Sequence, residues 1–426
     1  MSRQNAFSRD VCVVGGGGHV GLPLALTFAD SGLKTVIYDI NRKVVDAIRD
    51  GKMPFTEEGA QEILDRVLAN GALSAYSTPE ALPECKFVVL IIGTPVDEHL
   101  NPQFSAIHKA IDECADYLRD GQILILRSTV FPGISKLIQS YVDSKGLKIK
   151  VAFCPERVAQ GYSIREFHEL PQIISAFDPS TLAQVRELFA GFTPEFVEME
   201  PMEAELCKLM TNAWRYIQCA TVNQFYMIAS DHGLDFNRIL HGCRFKYPRM
   251  IGMPGPGLTA GPCLVKDTMQ LAAFSHNKFV IGHAAMLINE GLPSHMISLA
   301  KRKMDLTDKT VGILGMAFKA ESDDSRDSLS FKLRKLLTLE CKRVICSDPY
   351  VKNPKFFPME QVLAEADLIL IGVPHKPYKK LSIPESKLID VWNCIGKGTS
   401  PDAAAKSDSK SPPRSDRKPP QSVHAG

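Results

Sequence analysis

Neither sign of charge dominates this 426-residue chain: 50 basic residues stand against 48 acidic ones, mixed along the sequence, for a formal net charge of +2. Recognition of nucleic acid or of a membrane surface by bulk charge is therefore not expected, and any anion site must be built locally. Long apolar runs are missing as well. No stretch approaches the roughly 18 uninterrupted apolar residues of a membrane span. The opening MSRQNAFSRD carries no apolar signal segment, so the expected compartment is the cytoplasm. Metal or disulfide spacing of cysteine is the third absence. The eleven cysteines are odd in number and include no C-x-x-C pair, which suits reduced thiols serving as small core residues better than a disulfide framework or a metal site.

What the chain does contain is alternation. VCVVG, TVIYD, FVVLIIG and QILILRS read as strands, separated by segments of helical spacing such as SAIHKAIDECADYL. That is the pattern of a parallel sheet wrapped by helices. After about Pro201 it changes, and MEAELCKLMTNAWRYIQCATVNQFYMIASDHG reads as one long helix with apolar residues on more than one face. Such a helix needs cover from a second chain or from the chain's own C-terminal part. Strand signals return at TVGILG, RVICSD and LILIGV, with a helix in SLSFKLRKLLTLE. The expected fold is α/β: two units with parallel sheets, residues 1–200 and 303–398, joined by a helical centre over 201–302. The remaining 399–426, rich in Ser, Pro, Lys and Asp, is expected to stay disordered.

The first strand runs into G-x-G-x-x-G at Gly16, Gly18 and Gly21. Glycines at this spacing permit a tight turn, close approach of backbone to a pyrophosphate, and a helix N-terminus aimed at that charge, as in a Rossmann dinucleotide site. A purely structural glycine turn is the alternative. Asp39 closes the second strand, where a carboxylate accepts from a ribose 2′-hydroxyl and repels a 2′-phosphate, favouring NAD over NADP; Arg42 opposes that preference slightly. On the long helix Lys208 and Asn212 lie four apart and share a face. An ammonium and an amide so placed can meet one developing oxyanion, or they are an ordinary surface pair. Cys263 lies in GPGLTAGPCLVKD, a small-residue turn that leaves a thiol approachable, with Lys266 and Asp267 just behind it.

Several motifs occur in a fixed order: the glycine motif followed by Gly-Leu-Pro, GTP at Gly93–Pro95, STVFPG at Ser128–Gly133, PERV at Pro155–Val158, KLMTN, PRM at Pro248–Met250, GPCLVKD, and LGMAFKAESDDSRDS at Leu314–Ser328. By these motifs the chain, from about residue 11 to about residue 396, resembles the nucleotide-sugar 6-dehydrogenases, the UDP-glucose and UDP-N-acetylhexosamine dehydrogenase family. The resemblance implies an NAD-binding Rossmann domain, a helical centre carrying a homodimer contact, and a C-terminal Rossmann-like domain that holds UDP. It implies four-electron oxidation of C6 of a UDP-sugar to the uronic acid, a precursor for polysaccharide synthesis, with two NAD consumed and the aldehyde held on Cys263 as thiohemiacetal and then thioester. Lys208 and Asn212 would stabilise the oxyanion and Lys208 would favour the thiolate. Glu156 would be general base for hydrolysis, with Thr129 and Asp267 placing the water. Gly16, Gly18, His19, Val20, Gly21, Asp39, Thr94, Pro95 and Thr129 would hold NAD. Arg157, Phe318, Lys319 and Arg326 would hold the substrate, with Arg249 reaching it across the dimer interface.

The branch of the family is open at this level. The glucose-type branch usually carries a glutamate where this chain has Gln160, and the PERV and PRM…PGPG forms look more like the N-acetylhexosamine branch (mannosamine or glucosamine). CLVKDT, in contrast, resembles the glucose-type CLPKDT, and Leu258, Thr259, Ala260 and Val265 depart from the family's usual turn. Two further readings fit part of the chain. The β-hydroxyacid dehydrogenases share the first two units and a Lys-x-x-x-Asn pair but not Cys263 or the third unit. A silent nucleotide-sugar or NAD-binding regulator would keep the fold and lose part of the catalytic set.

Overall fold

The computed structural model describes residues 7–93 and 105–396. Thr94, Pro95 and the segment 399–426 lie outside the described residues. Among the described residues, twelve strands form two sheets. The first contains β1 (Arg9–Val14), β2 (Thr35–Tyr38), β3 (Leu73–Tyr76), β4 (Cys85–Leu90), β5 (Ile123–Leu126), β6 (Lys150–Phe153), β7 (Gln172–Ala176) and β8 (Phe196–Met199). Their order is β3-β2-β1-β4-β5-β6-β7-β8. Every pair is parallel except β6–β7, which is antiparallel through Ala152↔Ala176 and Phe153↔Ser175.

Strand β1 is buried on both faces because alternate residues serve different layers. Val11 and Val13 pack with Leu22, Phe28 and Phe189 on one side. Cys12 and Val14 pack with Ile107, Ile134 and Val142 on the other. A continuous apolar run is what a doubly covered parallel strand requires. The strand order reverses between β1 and β4, and at such a switch point the carboxyl ends of the strands leave a crevice.

The long helix spans Pro201–Asp231 and begins with a capping box in which Glu200 and Glu203 exchange side-chain and backbone bonds, with proline at the first turn. It packs along the helices Leu264–Phe274 and Val280–Lys303. Leu209 and Ala213 meet Leu271, and Tyr216 and Ala220 meet Ala285. Asn223 pins the loop before the thiol turn: it accepts from Gly257 N at 2.9 Å and donates to Gly257 O at 3.0 Å and to Asn289 at 2.9 Å. Among the described residues Met210, Trp214, Phe225 and Ile228 remain exposed, Trp214 at 61%, so the second sheet unit does not cover that stripe.

The second sheet joins β9 (Thr310–Leu314), β10 (Arg343–Ser347), β11 (Leu368–Ile371) and β12 (Leu388–Ile389) in the parallel order β10-β9-β11-β12. Met296, Ile297 and Ala300 of the helix Val280–Lys303 enter its core together with Leu258. The departure of Leu258 from the family turn thus has a packing cause. Its buried side chain fills the junction between the thiol loop and the second sheet, a burial that contributes about 1.5–3 kcal/mol. Among the described residues no helix is long and apolar enough to cross a membrane, and all eleven cysteines are free.

Candidate active site

Three loops meet at the junction of the two sheet units and the helical centre. The first is the glycine turn after β1. Gly15 adopts φ +75°, and a Cβ built on it would lie 1.9 Å from Ile91 O; only glycine fits that crossing of β1 and β4. A Cβ on Gly21 would lie 2.5 Å from Gly15 O, and one on Gly16 2.7 Å from Val13 O. Gly18 differs. Among the described residues, its own chain neighbours aside, a Cβ there would meet nothing closer than Gly15 O at 3.7 Å, so its missing side chain leaves space on the outside, where a pyrophosphate approaches. Asp39 accepts from Gly17 N and Asn41 N, each at 2.9 Å, and stands beside the turn at the end of β2. Val20 directly precedes the helix Gly21–Asp30. His19 stacks on Phe55 with ring centroids 4.1 Å apart; burial holds its imidazole below the ordinary value, against the pull of Asp324. These residues fit a dinucleotide, with Asp39 on the ribose side and Gly16 to Gly21 on the pyrophosphate side.

The second loop carries the thiol. Gly261 has φ +104°, and a Cβ on it would lie 2.6 Å from the Phe318 ring, so the Gly-Pro-Cys turn is glycine-dependent because Phe318 lies against it. Cys263 ends the turn, is the one exposed cysteine of the eleven, and precedes the helix Leu264–Phe274. Asp267, one turn on and fully buried, accepts from Asn212 Nδ2 at 2.6 Å and from Lys266 Nζ at 2.6 Å. Lys208 donates to the backbone carbonyl of Glu156. Burial lowers the Lys208 ammonium below the ordinary lysine value, while Asp267, Glu156 and Cys263 oppose that. For the thiol, Lys208 acts in the expected direction but is outweighed. The surrounding protein and then Asp267 push Cys263 up, and Lys266, Lys208 and Arg326 only partly restore it. Without a ligand, therefore, the cations near Cys263 do not make it a low-pKa thiolate, because desolvation and a buried carboxylate outweigh them.

The third loop, after β6, carries Glu156. Its Oε1 accepts from Arg157 N at 2.5 Å and Val158 N at 2.7 Å, and its Oε2 from Arg127 Nη2 at 2.5 Å. Arg157 itself turns to the carbonyl of Pro171, so its guanidinium is engaged within its own unit. Thr129 lies just beyond β5, beside Ser128, whose hydroxyl accepts from Ile92 N and donates to Ile92 O, both at 2.8 Å. Thr129 is thus at the carboxyl edge of the first sheet. The oxygens of Asp267, its expected companion in placing water, are bound to Asn212 and Lys266.

From the C-terminal unit, Lys319 donates to Gln160 O and stands 5.8 Å from the Phe318 and Tyr162 ring centroids. Burial lowers its ammonium. Arg326 grips Asp324, with Nη2 to Oδ2 at 2.6 Å and Nε to Oδ1 at 3.0 Å, and its charge reaches Cys263. Thr56 N donates to Asp323 at 3.3 Å. The loop of the second sheet unit therefore closes on the first at Thr56 and Gln160. Arg249 stands apart, exposed in the turn Pro248–Met250 with its guanidinium 5.6 Å from the Tyr247 ring centroid. Two residues escaped the sequence reading. Arg215, two turns after Lys208 on the same helix, places its charge near both Lys208 and Lys319; its spacing is the signal that would have found it. Arg127 ends a buried apolar strand, and nothing in sequence marks a buried arginine.

Comparison with known proteins gives matches along most of the chain. Models of the UDP-glucose/GDP-mannose dehydrogenase family match in order: its NAD binding domain over residues 9–193, its central domain over 202–290 and its UDP binding domain over 312–397. A UDP-N-acetyl-D-mannosamine dehydrogenase of Methanocaldococcus jannaschii is 29% identical over 394 residues, covering 91% of this chain and 90% of that protein. The structure of UDP-D-ManNAc dehydrogenase from Pyrococcus horikoshii superposes with a TM-score of 0.85 at 27% identity, covering 91% of this chain and 96% of that one. A UDP-glucose dehydrogenase structure from Pyrobaculum islandicum gives 0.84 at 25% identity, with coverage of 95% and 98%.

Proposed function

This chain belongs to the UDP-glucose/GDP-mannose dehydrogenase family of NAD-dependent nucleotide-sugar dehydrogenases, and we propose that it oxidises C6 of a UDP-N-acetylhexosamine, mannosamine foremost, to the uronic acid. The observation that carries the reading is the grouping of Cys263, Lys208, Asn212 and Asp267 where the loops of both sheet units meet. The preference for an N-acetylated sugar rests on relatives bearing that name. The runner-up is UDP-glucose, the sugar named for the Pyrobaculum islandicum structure.

NAD, when bound, supplies the hydride acceptor for each of the two oxidations. The chain's residues do the rest. Cys263 Sγ adds to the C6 aldehyde, its proton passing to the carbonyl oxygen, so that the aldehyde stays attached between oxidations. Lys208 faces that oxygen with the ammonium hydrogens left after its bond to Glu156 O, and Asn212 with the amide hydrogen left after its bond to Asp267. After the second oxidation a thioester joins C6 to Sγ. Water adds at C6, the C6–Sγ pair leaves on sulfur, and Glu156 takes the proton of the water. Lys319 and Arg326 bring positive charge for a diphosphate.

Assembly is part of the same proposal. The exposed stripe Met210, Trp214, Phe225 and Ile228 is a self-complementary patch for a two-fold dimer, in which Arg249 enters the partner's sugar site. The deciding experiment incubates the purified protein with NAD and, separately, UDP-N-acetylmannosamine, UDP-N-acetylglucosamine, UDP-glucose, UDP-galactose and GDP-mannose, following NADH. The expected result is the highest kcat/KM with UDP-N-acetylmannosamine. A higher value with UDP-glucose overturns the substrate assignment, and no NADH with any sugar overturns the activity.

A further inference from the structure

Arg127 is a costly residue in its position. It follows β5, its side chain is buried, and its guanidinium lies 4.9 Å from the Phe189 ring centroid and 5.7 Å from that of Phe167. It donates through Nη1 to Cys154 O at 3.0 Å and through Nη2 to Gln172 Oε1 at 2.8 Å and Glu156 Oε2 at 2.5 Å. Its Nε is buried with no hydrogen-bond partner among the described residues. A buried ion pair seldom stabilises a fold more than apolar residues of the same volume would, and an unpartnered buried donor costs more still. Stability therefore does not explain the arrangement.

The geometry at Glu156 does. A carboxylate has about four acceptor sites. Two bonds occupy Oε1 and one occupies Oε2, so the site left open is on Oε2, the oxygen held by Arg127. The same residue presents its backbone carbonyl to Lys208. We propose that Arg127 is a positioning residue for thioester hydrolysis: by gripping Oε2 it aims that oxygen's remaining lone pair at the attacking water. Arg127 touches neither substrate nor cofactor and acts through Glu156. In the step it serves, the water oxygen bonds to C6, the C6–Sγ bond breaks with its electron pair leaving on Cys263, and one water proton goes to Glu156 Oε2. No oxidant is consumed. The proposal rests on Glu156 as the hydrolytic base, and the two are separable by experiment.

The test uses the full chain with UDP-N-acetylmannosamine and NAD, comparing Arg127→Met, Glu156→Gln and the double variant in rapid-mixing NADH traces and intact-mass spectra. Arg127→Met should form two NADH per site at the parental rate, then turn over about 10²-fold more slowly, with an acyl adduct on the chain, KM falling together with kcat and kcat/KM unchanged. A structural role alone would slow the burst and the steady state together and leave no adduct, which would overturn the proposal. If Arg127→Met does not fold, the double variant carries the test, because it removes both charges of the pair. Its hydrolysis should equal that of Glu156→Gln, and a further tenfold loss would show Arg127 acting elsewhere. Normal hydrolysis by Glu156→Gln would reject the base assignment, and Arg127 with it. An adduct in Glu156→Gln beside none in a folded Arg127→Met would reject Arg127 alone.

Discussion

Replacing Asp267 by asparagine should slow catalysis while making the thiol easier to alkylate, two effects that a generic loss of structure would not combine. Asp267 is fully buried, and its oxygens accept from Asn212 and from Lys266, both at 2.6 Å; the Lys266 side chain is only 15% exposed. Asparagine keeps one acceptor for Asn212 but turns amide hydrogens toward Lys266. A hydrogen bond to a charged group contributes about 1.5–3 kcal/mol, and stripping one partner from a buried pair costs about 3–5 kcal/mol. Since one bond survives, the expected loss is about 3 kcal/mol, visible as a lower urea midpoint for unfolding. The carboxylate also raises the Cys263 thiol. Without it more thiolate is present at neutral pH, and iodoacetamide should modify Cys263 faster than in the parent, read by peptide mass. NADH formation should fall, because Asn212 is no longer held by a charge. Equal or slower alkylation would refute the electrostatic account of the thiol, and an unchanged midpoint would refute the account of Asp267 as a structural hub.

In a pair of glycine variants, Gly18→Ala should melt like the parent while KM for NAD rises, since its Cβ has room inside the chain; Gly15→Ala, forced against Ile91 O at φ +75°, should destabilise the first unit by more than about 2 kcal/mol. An unfolding scan with NAD kinetics checks both. Across the pH range, alkylation of Cys263 in the parent should rise with pH through a midpoint above that of a free thiol, because the surrounding protein and Asp267 favour the neutral form; a midpoint below it contradicts that balance. Mixing Arg249→Ala chains with Cys263→Ala chains should restore part of the activity once subunits exchange, and a lack of rescue after verified exchange would remove Arg249 from the partner's site.

The long helix was legible because nothing interrupts it. It has proline only at its first position, the glutamates Glu200 and Glu203 cap it, and apolar residues recur along it through Ile228. The glycine turn was legible in spacing but not in emphasis. The spacing singles out Gly16, Gly18 and Gly21, whereas the positive φ falls on Gly15, which only the crossing with Ile91 reveals. Apolar runs show strands without showing direction, so the antiparallel step from β6 to β7 was hidden. The balance at Cys263 was half legible for a related reason: the charge of Lys208, which does favour the thiolate, is visible in sequence, but the protein packed around the thiol, which outweighs that charge, is not. Leu258 looks like a departure from the family's turn in sequence and is a core residue in the fold. Arg127 and its bond to Glu156 span 29 positions, a separation that no local pattern bridges.

The central claim is that the aldehyde stays bound to Cys263 between two oxidations. The direct measurement is the ratio of NADH to uronic acid in a complete turnover of UDP-N-acetylmannosamine, run with an aldehyde-trapping hydrazine in solution. The account predicts two NADH for each uronic acid and no trapped hydrazone. One NADH per sugar consumed, with the hydrazone of the C6 aldehyde recovered, would contradict it.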